Sequence, residues 1–174
     1  MEYNEEFFKS SANKKASIVW AIMCILLPGI YAGEILKGRM SHTTFLTMLV
    51  CCWVPYLLGF VQLRIKGRSN DWYQVIVAVG YGIFYGFVVL TINSTVAFSF
   101  MLPVASMLTL FKNKKLIIGL GIYNIIIIFM QNILIYLRGQ SADGHMIQME
   151  IEMACTIMCY TFCQLTIFRG RTTR

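Results

Sequence analysis

Residues 114–138 read KKLIIGLGIYNIIIIFMQNILIYLR, and this stretch decides the fold class. Between its flanking cations lie 22 residues, 116–137, none of which carries a charge. A helix needs about 20 such residues to cross roughly 30 Å of hydrocarbon. Because lipid offers an open backbone no hydrogen-bond partner, a crossing segment of this kind must be helical. The stretch therefore predicts a transmembrane helix.

The rest of the chain repeats this pattern. Of its 174 residues, 57% are hydrophobic and only 13% are charged, which is unlike a soluble domain of this size. Five further apolar stretches are long enough, or nearly so, to cross a bilayer: 16–36, 44–63, 72–92, 96–111 and 150–168. We therefore expect an all-α, polytopic bundle of six spans.

The same boundaries predict three segments. Residues 1–15 are expected to be a cytoplasmic or interfacial amino-terminal segment, either a short helix on the inner surface or a frayed terminus. Residues 16–168 are expected to form the six-helix transmembrane domain, and 169–174 a cytoplasmic carboxy-terminal end.

The cations are distributed unevenly among the polar segments. Twelve of the fifteen Lys and Arg residues fall in alternate segments that belong to one side, and three fall on the other. The positive-inside rule then places the cation-rich side, with both termini, in the cytoplasm of a cell membrane protein. For the net charge of +7 we expect anionic inner-leaflet lipid as the partner. Nucleic acid is not expected, since the cations are dispersed along membrane-flanking loops without stacking aromatics.

Small and polar residues inside the stretches predict which helix faces pack. Gly82 and Gly86 form a GxxxG pattern that lets two helices approach closely, although ordinary glycine enrichment of membrane helices is the alternative. In 116–137, Asn124 and Gln131 share one arc, which leaves the isoleucine run 125–128 largely to face lipid. Amides at this depth either bond between helices or line a ligand pocket.

Titratable groups gather at the ends of the stretches that are predicted to face outside: Glu34, His42, Asp143, His145, Glu150 and Glu152. The candidate ligand-binding residues are therefore Glu34, His42, Glu150 and Glu152, together with the amides Asn124 and Gln131. A cation- or proton-sensitive site is one interpretation, and ordinary solvated loop ends are the other. No ligand spacing such as HxxxH accompanies them, so no metal site is predicted.

The remaining chemistry-bearing residues favour structural roles. Cys155, Cys159 and Cys163 share a face but climb about 12 Å of helix, too far for one metal ion, and we expect them to be packing residues. Both histidines lie outside the predicted spans while every cysteine lies inside one, so Cys–His catalysis is not expected. No catalytic residue and no cofactor is predicted. The prolines at positions 28, 55 and 103 are expected to interrupt their spans as static kinks.

Five segments of the chain bear a family resemblance: Tyr3-Asn4-Glu5-Glu6-Phe7-Phe8, Asn13-Lys14-Lys15-Ala16, Cys52-Trp53-Val54-Pro55, residues 78–85 (AVGYGIFY) and residues 102–108 (LPVASML). Together they resemble the amino-terminal six-helix region of certain bacterial methyl-accepting chemotaxis proteins, over nearly the whole chain. The resemblance implies a non-enzymatic sensory domain that works as a homodimer and detects a stimulus within the bundle or at its outer surface. In that family the last span continues into a cytoplasmic coiled coil that is methylated and controls a histidine kinase.

The chain departs from the family after its sixth stretch, where 169–174 contains no heptads, methylation helices or kinase-contacting tip. We therefore expect a sensory and transducer domain whose signalling part is absent from this chain. A small-solute transporter or permease component is the alternative. A membrane-bound hydrolase that uses His42 and Glu150 is a third class.

Overall fold

The computed structural model of the chain describes residues 2–91, 100–137 and 142–172, with side chains within 5–91, 100–137 and 147–167. Over these residues it shows six α-helices and no strand. They are α1 (Glu2–Leu36), α2 (His42–Ile65), α3 (Trp72–Thr91), α4 (Met101–Thr109), α5 (Lys114–Leu137) and α6 (Ala142–Thr172). The prediction of an all-α protein is confirmed.

Four of these helices, α1, α2, α3 and α5, are long and apolar enough to cross a membrane. Large apolar side chains also point away from the packed faces, and Ile25, Leu58 and Phe129 are each more than half exposed. A helix that is apolar on its outer as well as its inner face is typical of a lipid environment. The structure thus supports a membrane protein with several helices of spanning length.

The first helix is longer than its apolar stretch. α1 begins at Glu2 and continues without a break to Leu36, so that it includes most of the segment 1–15. Residues 2–27 contain no glycine or proline that would end a helix, and Ala12 and Ala16 are buried. At 1.5 Å per residue, its 35 residues extend about 52 Å, more than the thickness of the hydrocarbon.

Two further helices differ in length from the stretches predicted for them: the described α4 is shorter, and α6 is longer. α4 has nine residues, about 14 Å, against the expected stretch 96–111, whose beginning lies outside the described residues. Pro103 occupies its first turn, where the missing N–H has no intrahelical partner in any case, so this proline does not interrupt the helix. α6 begins at Ala142, eight residues before the expected position 150, and is helical to Thr172.

The other two prolines, Pro28 and Pro55, lie inside α1 and α2, and both helices continue through them. α2 begins immediately after Ser41, whose hydroxyl accepts a hydrogen bond from the backbone N–H of Thr44 at 3.1 Å. This side chain caps one of the N–H groups that a helix start leaves without a partner.

The chain divides into two compact units, the amino-terminal unit Met1–Phe84 and the carboxy-terminal unit Tyr85–Arg174. In the amino-terminal unit α1 packs against α2, and all three tryptophans of the chain, Trp20, Trp53 and Trp72, belong to this unit. Its buried interior includes two reduced thiols, Cys24 on α1 and Cys52 on α2, with their sulfur atoms 3.3 Å apart.

One end of the amino-terminal unit is held by polar contacts. The Asn13 side chain is buried and donates to the carbonyl oxygens of Arg68 and Asn70, at 2.7 and 3.1 Å. Next to it, the Lys9 ammonium lies 3.1 Å from the Asp71 carboxylate in a largely exposed ion pair. These contacts fix the first part of α1 to the loop between α2 and α3.

In the carboxy-terminal unit α5 packs against α6, and α4 packs against both. The buried residues of α5 recur every three or four positions: Ile117, Leu120, Gly121, Asn124, Ile127, Ile128, Gln131 and Ile135. The expectation that residues 125–128 mainly face lipid is therefore wrong for Ile127 and Ile128, which are buried. Four consecutive residues turn through about 300° of a helix, so such a run cannot keep to one face.

Candidate functional site

The buried face shared by α5 and α6 carries an unusual set of polar side chains. Glu152, Thr156 and Tyr160 lie on α6 at intervals of four residues, and Asn124 and Gln131 lie on the buried face of α5. Each of these five side chains is at most 8% exposed. We call them the polar seam. Buried polar groups in a membrane helix are costly and are candidates for functional groups.

One end of the seam is a hydrogen bond between α5 and α6. The Asn124 side-chain amide donates to the Tyr160 hydroxyl at 2.8 Å. Gly121, one turn before Asn124, makes room for the tyrosine ring, because a Cβ at this position would lie 3.0 Å from Tyr160 Cγ. The short distance shows that α5 and α6 approach closely at a small residue, as membrane helices commonly do.

Asn124 is not fully satisfied by this bond. Its side-chain oxygen is buried and has no hydrogen-bond partner among the described residues. A buried acceptor without a donor costs free energy, and native structures keep few of them. The seam therefore contains a position that a donor from a ligand, a water molecule or a rearranged side chain would satisfy.

Glu152 lies at the other end of the seam. Its carboxylate oxygen Oε1 accepts a hydrogen bond from the Gln148 amide at 2.7 Å. One turn further on, the Thr156 hydroxyl donates to the backbone carbonyl of Glu152 at 2.7 Å and lies 3.2 Å from the Met101 sulfur of α4. Among the ion pairs formed by described residues, none includes Glu152.

The carboxy-terminal end of α3 also belongs to this unit and contributes aromatic groups. The buried phenol of Tyr85 lies close enough to Glu152 and Tyr123 for electrostatic interaction with both. Gly86 follows, and a Cβ there would lie 2.5 Å from the Tyr123 hydroxyl of α5. Gly86 thus permits a close approach, whereas Gly82, its partner in the GxxxG pattern, is buried in the amino-terminal unit.

The other candidate ligand-binding residues do not join the seam. Glu34 and His42 belong to the amino-terminal unit. Glu34 forms ion pairs within its own segment, 2.8 Å from Lys37 and 3.6 Å from Arg39, and His42 is exposed at the start of α2. Glu150 is exposed although Glu152 is buried, because residues two positions apart on a helix face different sides.

Two members of the predicted outer cluster, Asp143 and His145, have side chains outside those that the structure describes. Within the described part of the chain, no three His, Cys, Asp or Glu residues converge in a way that would hold a metal ion. Cys163 is buried, and Cys155 and Cys159 are half-buried.

Two residues of the site, Tyr160 and Gln148, are not among those predicted from the sequence. Tyr160 continues the spacing of four that begins with Glu152 and Thr156, and this spacing marks one face of a helix. Gln148 lies one turn before Glu152 on the same face. A search for polar residues at positions i, i+4 and i+8 would have found both.

Comparison of the chain with protein families, with characterised proteins and with solved structures gives no significant match.

Proposed function

We propose that the chain is the sensory and transducer region of a chemotaxis-type membrane receptor, in which a stimulus changes the packing of α6. Three observations support the proposal. Four helices are long and apolar enough to span a membrane, twelve of fifteen cations fall in alternate polar segments, and the sequence segments quoted above resemble that receptor family. In this proposal all six helices are membrane spans, and both termini lie in the cytoplasm.

The continuity of α6 is the observation that carries the proposal. This helix places Glu152, Thr156 and Tyr160 in the polar seam, and its backbone stays helical to Thr172, twenty residues beyond Glu152. Twenty residues extend about 30 Å, roughly the thickness of the hydrocarbon. A change of packing at the seam would therefore reach the other end of the helix without an intervening hinge.

In this proposal the seam has two arrangements, as a receptor requires. This is supported by the Asn124 oxygen, which has no hydrogen-bond partner among the described residues and would gain a donor in the second arrangement. A stimulus acts by binding one arrangement better than the other. In the receptor, the equilibrium between arrangements would set the position of α6 in each subunit of a homodimer.

A chimera tests the transducing role. We would join the chain at Arg174 to the kinase-controlling coiled coil of a chemotaxis receptor and measure kinase activity in membranes. Insertion of seven residues at the junction changes the helix phase by about 20°, and insertion of two changes it by about 200°. We expect the seven-residue insertion to keep the parent activity and the two-residue insertion to change it.

Substitutions in the same chimera test the seam. Asn124→Leu removes the bond to Tyr160 and should shift kinase activity, whereas Asn132→Leu removes only a bond to the Ile128 carbonyl within α5 and should leave it unchanged. Equal activities for Asn124→Leu and the parent chimera would contradict the proposal. Saturable, gradient-driven solute flux through the chain in liposomes would instead favour a transporter.

Reporter fusions test the orientation independently of signalling. Fusions after Met1 and after Arg174 should report the cytoplasm, and a fusion in the loop that contains Gly38 should report the opposite side. Termini in different compartments would overturn the six-span arrangement.

A further inference from the structure

Glu152 stands apart from the other acidic residues of the chain. Among the described side chains it is the one carboxyl group that is buried, at 3% exposure. Transfer of an ionised carboxylate from water to an apolar interior is costly unless the charge is paired. An ionised Glu152 would therefore need a partner that compensates its charge.

No described cation does so. On α6 itself the carboxylate accepts from the neutral amide of Gln148. On the neighbouring helices, the Met101 thioether of α4 contacts Thr156, one turn after Glu152, and the Tyr85 phenol of α3 interacts electrostatically with Glu152 and with the Tyr123 phenol of α5. All of these groups are uncharged at neutral pH. An unpaired charge in such surroundings is the expensive state of the carboxyl group.

A metal ion does not fit these surroundings. The Gln148 amide directs an N–H donor, and not an oxygen ligand, at Oε1. Among the described residues, Glu152 also belongs to no group of three His, Cys, Asp or Glu side chains that would form a coordination shell. A proton, by contrast, needs no cavity, neutralises the charge completely and leaves the hydrogen bond from Gln148 in place.

We propose that Glu152 is the proton-binding site of this protein and that protons are its stimulus. With the carboxyl group protonated, α6 packs against α4 and α5 as in the structure. Loss of the proton creates an unpaired buried charge and weakens this packing, so that α6 shifts towards an arrangement in which Glu152 is hydrated. The inference rests on the proposed sensory function, since it names the stimulus of the same site.

Infrared difference spectroscopy of the full chain in lipid bilayers tests the proton site. A protonated carboxylic acid has a carbonyl stretch that ionised carboxylates lack, and the chain has only eight Asp and Glu residues. We expect this band to persist at neutral pH, to disappear as the pH is raised, and to be lost in Glu152→Gln. The isosteric amide preserves the shape of the side chain and is expected to fold.

The matched control is Glu150→Gln, which changes an exposed carboxyl group two residues away on the same helix. This variant should keep the band and its pH dependence. A wild-type protein without the band at neutral pH, or a Glu152→Gln variant that retains it, would overturn the assignment.

A distance measurement separates this inference from the proposed function. In a chain whose six cysteines are replaced by alanine, nitroxide labels at the exposed positions Ile118 and Leu165 report on the packing of α5 and α6. We expect a pH-dependent shift of the distance distribution that Glu152→Gln abolishes and Glu150→Gln keeps. If the infrared band titrates while the distance stays constant, the proton site stands and the transducing role of α6 fails. If the distance shifts with pH in Glu152→Gln as well, the transducing role stands and the assignment of the proton site is wrong.

Discussion

The two units of the chain differ in the side chains through which their helices and loops are joined. In the amino-terminal unit the anchoring side chain is Asn13, which donates to two backbone carbonyls of the α2–α3 loop at one end of α1. In the interior of that unit, the residues facing each other across α1 and α2 are the thiols Cys24 and Cys52. In the carboxy-terminal unit the amide–phenol bond of Asn124 and Tyr160 is itself in the interior.

The difference has a physical consequence for what each unit can do. An anchor at the end of a helix fixes its position, and weakly polar thiols then pack in the interior much as small apolar groups do. A hydrogen bond in the interior fixes the rotation of one helix against the other, yet it can be exchanged for another bond at low net cost. We therefore expect the amino-terminal unit to serve as a support and the carboxy-terminal unit to rearrange.

The largest effect should come from a large side chain at Gly121, where α5 and α6 approach closely. Gly121→Leu places a side chain against the fixed base of the Tyr160 ring and should lower the free energy of unfolding by about 3 kcal/mol, the cost of overpacking. Gly119→Leu is the control, because a Cβ at that position meets no atom within 4 Å. Unfolding in mixed micelles measures both, and equal losses would show that the close approach at Gly121 is not specific.

A smaller effect is expected at the anchor of the amino-terminal unit. Asn13→Leu removes two hydrogen bonds and should cost about 2 kcal/mol, since each contributes about 0.5–1.5 kcal/mol net. Hydrogen exchange should show faster opening of the first turns of α1, with little change in α5. The exposed neighbour Lys14, changed to Ala, serves as the control. Unchanged exchange in Asn13→Leu would mean that α1 is held by its apolar contacts alone.

The hydrogen bond between Asn124 and Tyr160 should contribute little to stability and should mainly fix the rotation of α5 against α6. We expect Asn124→Leu to lower the free energy of unfolding by about 1 kcal/mol, the typical value for a bond between membrane helices. Asn132→Leu, which loses a bond within its own helix, should change it less. A loss for Asn132→Leu as large as that for Asn124→Leu would mean that the bond between α5 and α6 contributes no more to stability than a bond within one helix.

The smallest effect should come from the exposed ion pair. Lys9→Gln removes the contact with Asp71, and both groups of this pair are partly solvated. Surface pairs of this kind contribute about 0.2–1 kcal/mol, so a change of less than about 0.5 kcal/mol is expected in thermal unfolding. A loss as large as that of Asn13→Leu would mean that the Lys9–Asp71 ion pair also helps to hold α1 to the α2–α3 loop.

The sequence predicts the helical class and most helix positions because apolar runs of 20 residues have few alternatives in lipid. It predicts the ends of α1 and α6 poorly, since both helices extend beyond the apolar stretch into polar residues. Helix propensity and local packing, as at Ala12 and Ala16, decide those ends, and hydropathy does not report either one.

Only part of the candidate site follows from the sequence. Helical periodicity placed Asn124 and Gln131 on one packed face of α5, and both are buried. Periodicity along one helix does not reveal which residue of a second helix lies opposite. The pairing of Asn124 with Tyr160 and the isolation of Glu152 from described cations are therefore visible in the structure alone.

Because Trp20, Trp53 and Trp72 all lie before residue 85, the intrinsic indole emission of this chain comes from one of its two units. Their surroundings also differ, since Trp20 is buried, Trp53 is about one-third exposed and Trp72 is mostly exposed. Fluorescence thus follows the unfolding of the amino-terminal unit and does not report on the carboxy-terminal unit. A denaturation curve recorded by emission and another recorded by circular dichroism would coincide only if the two units unfold together.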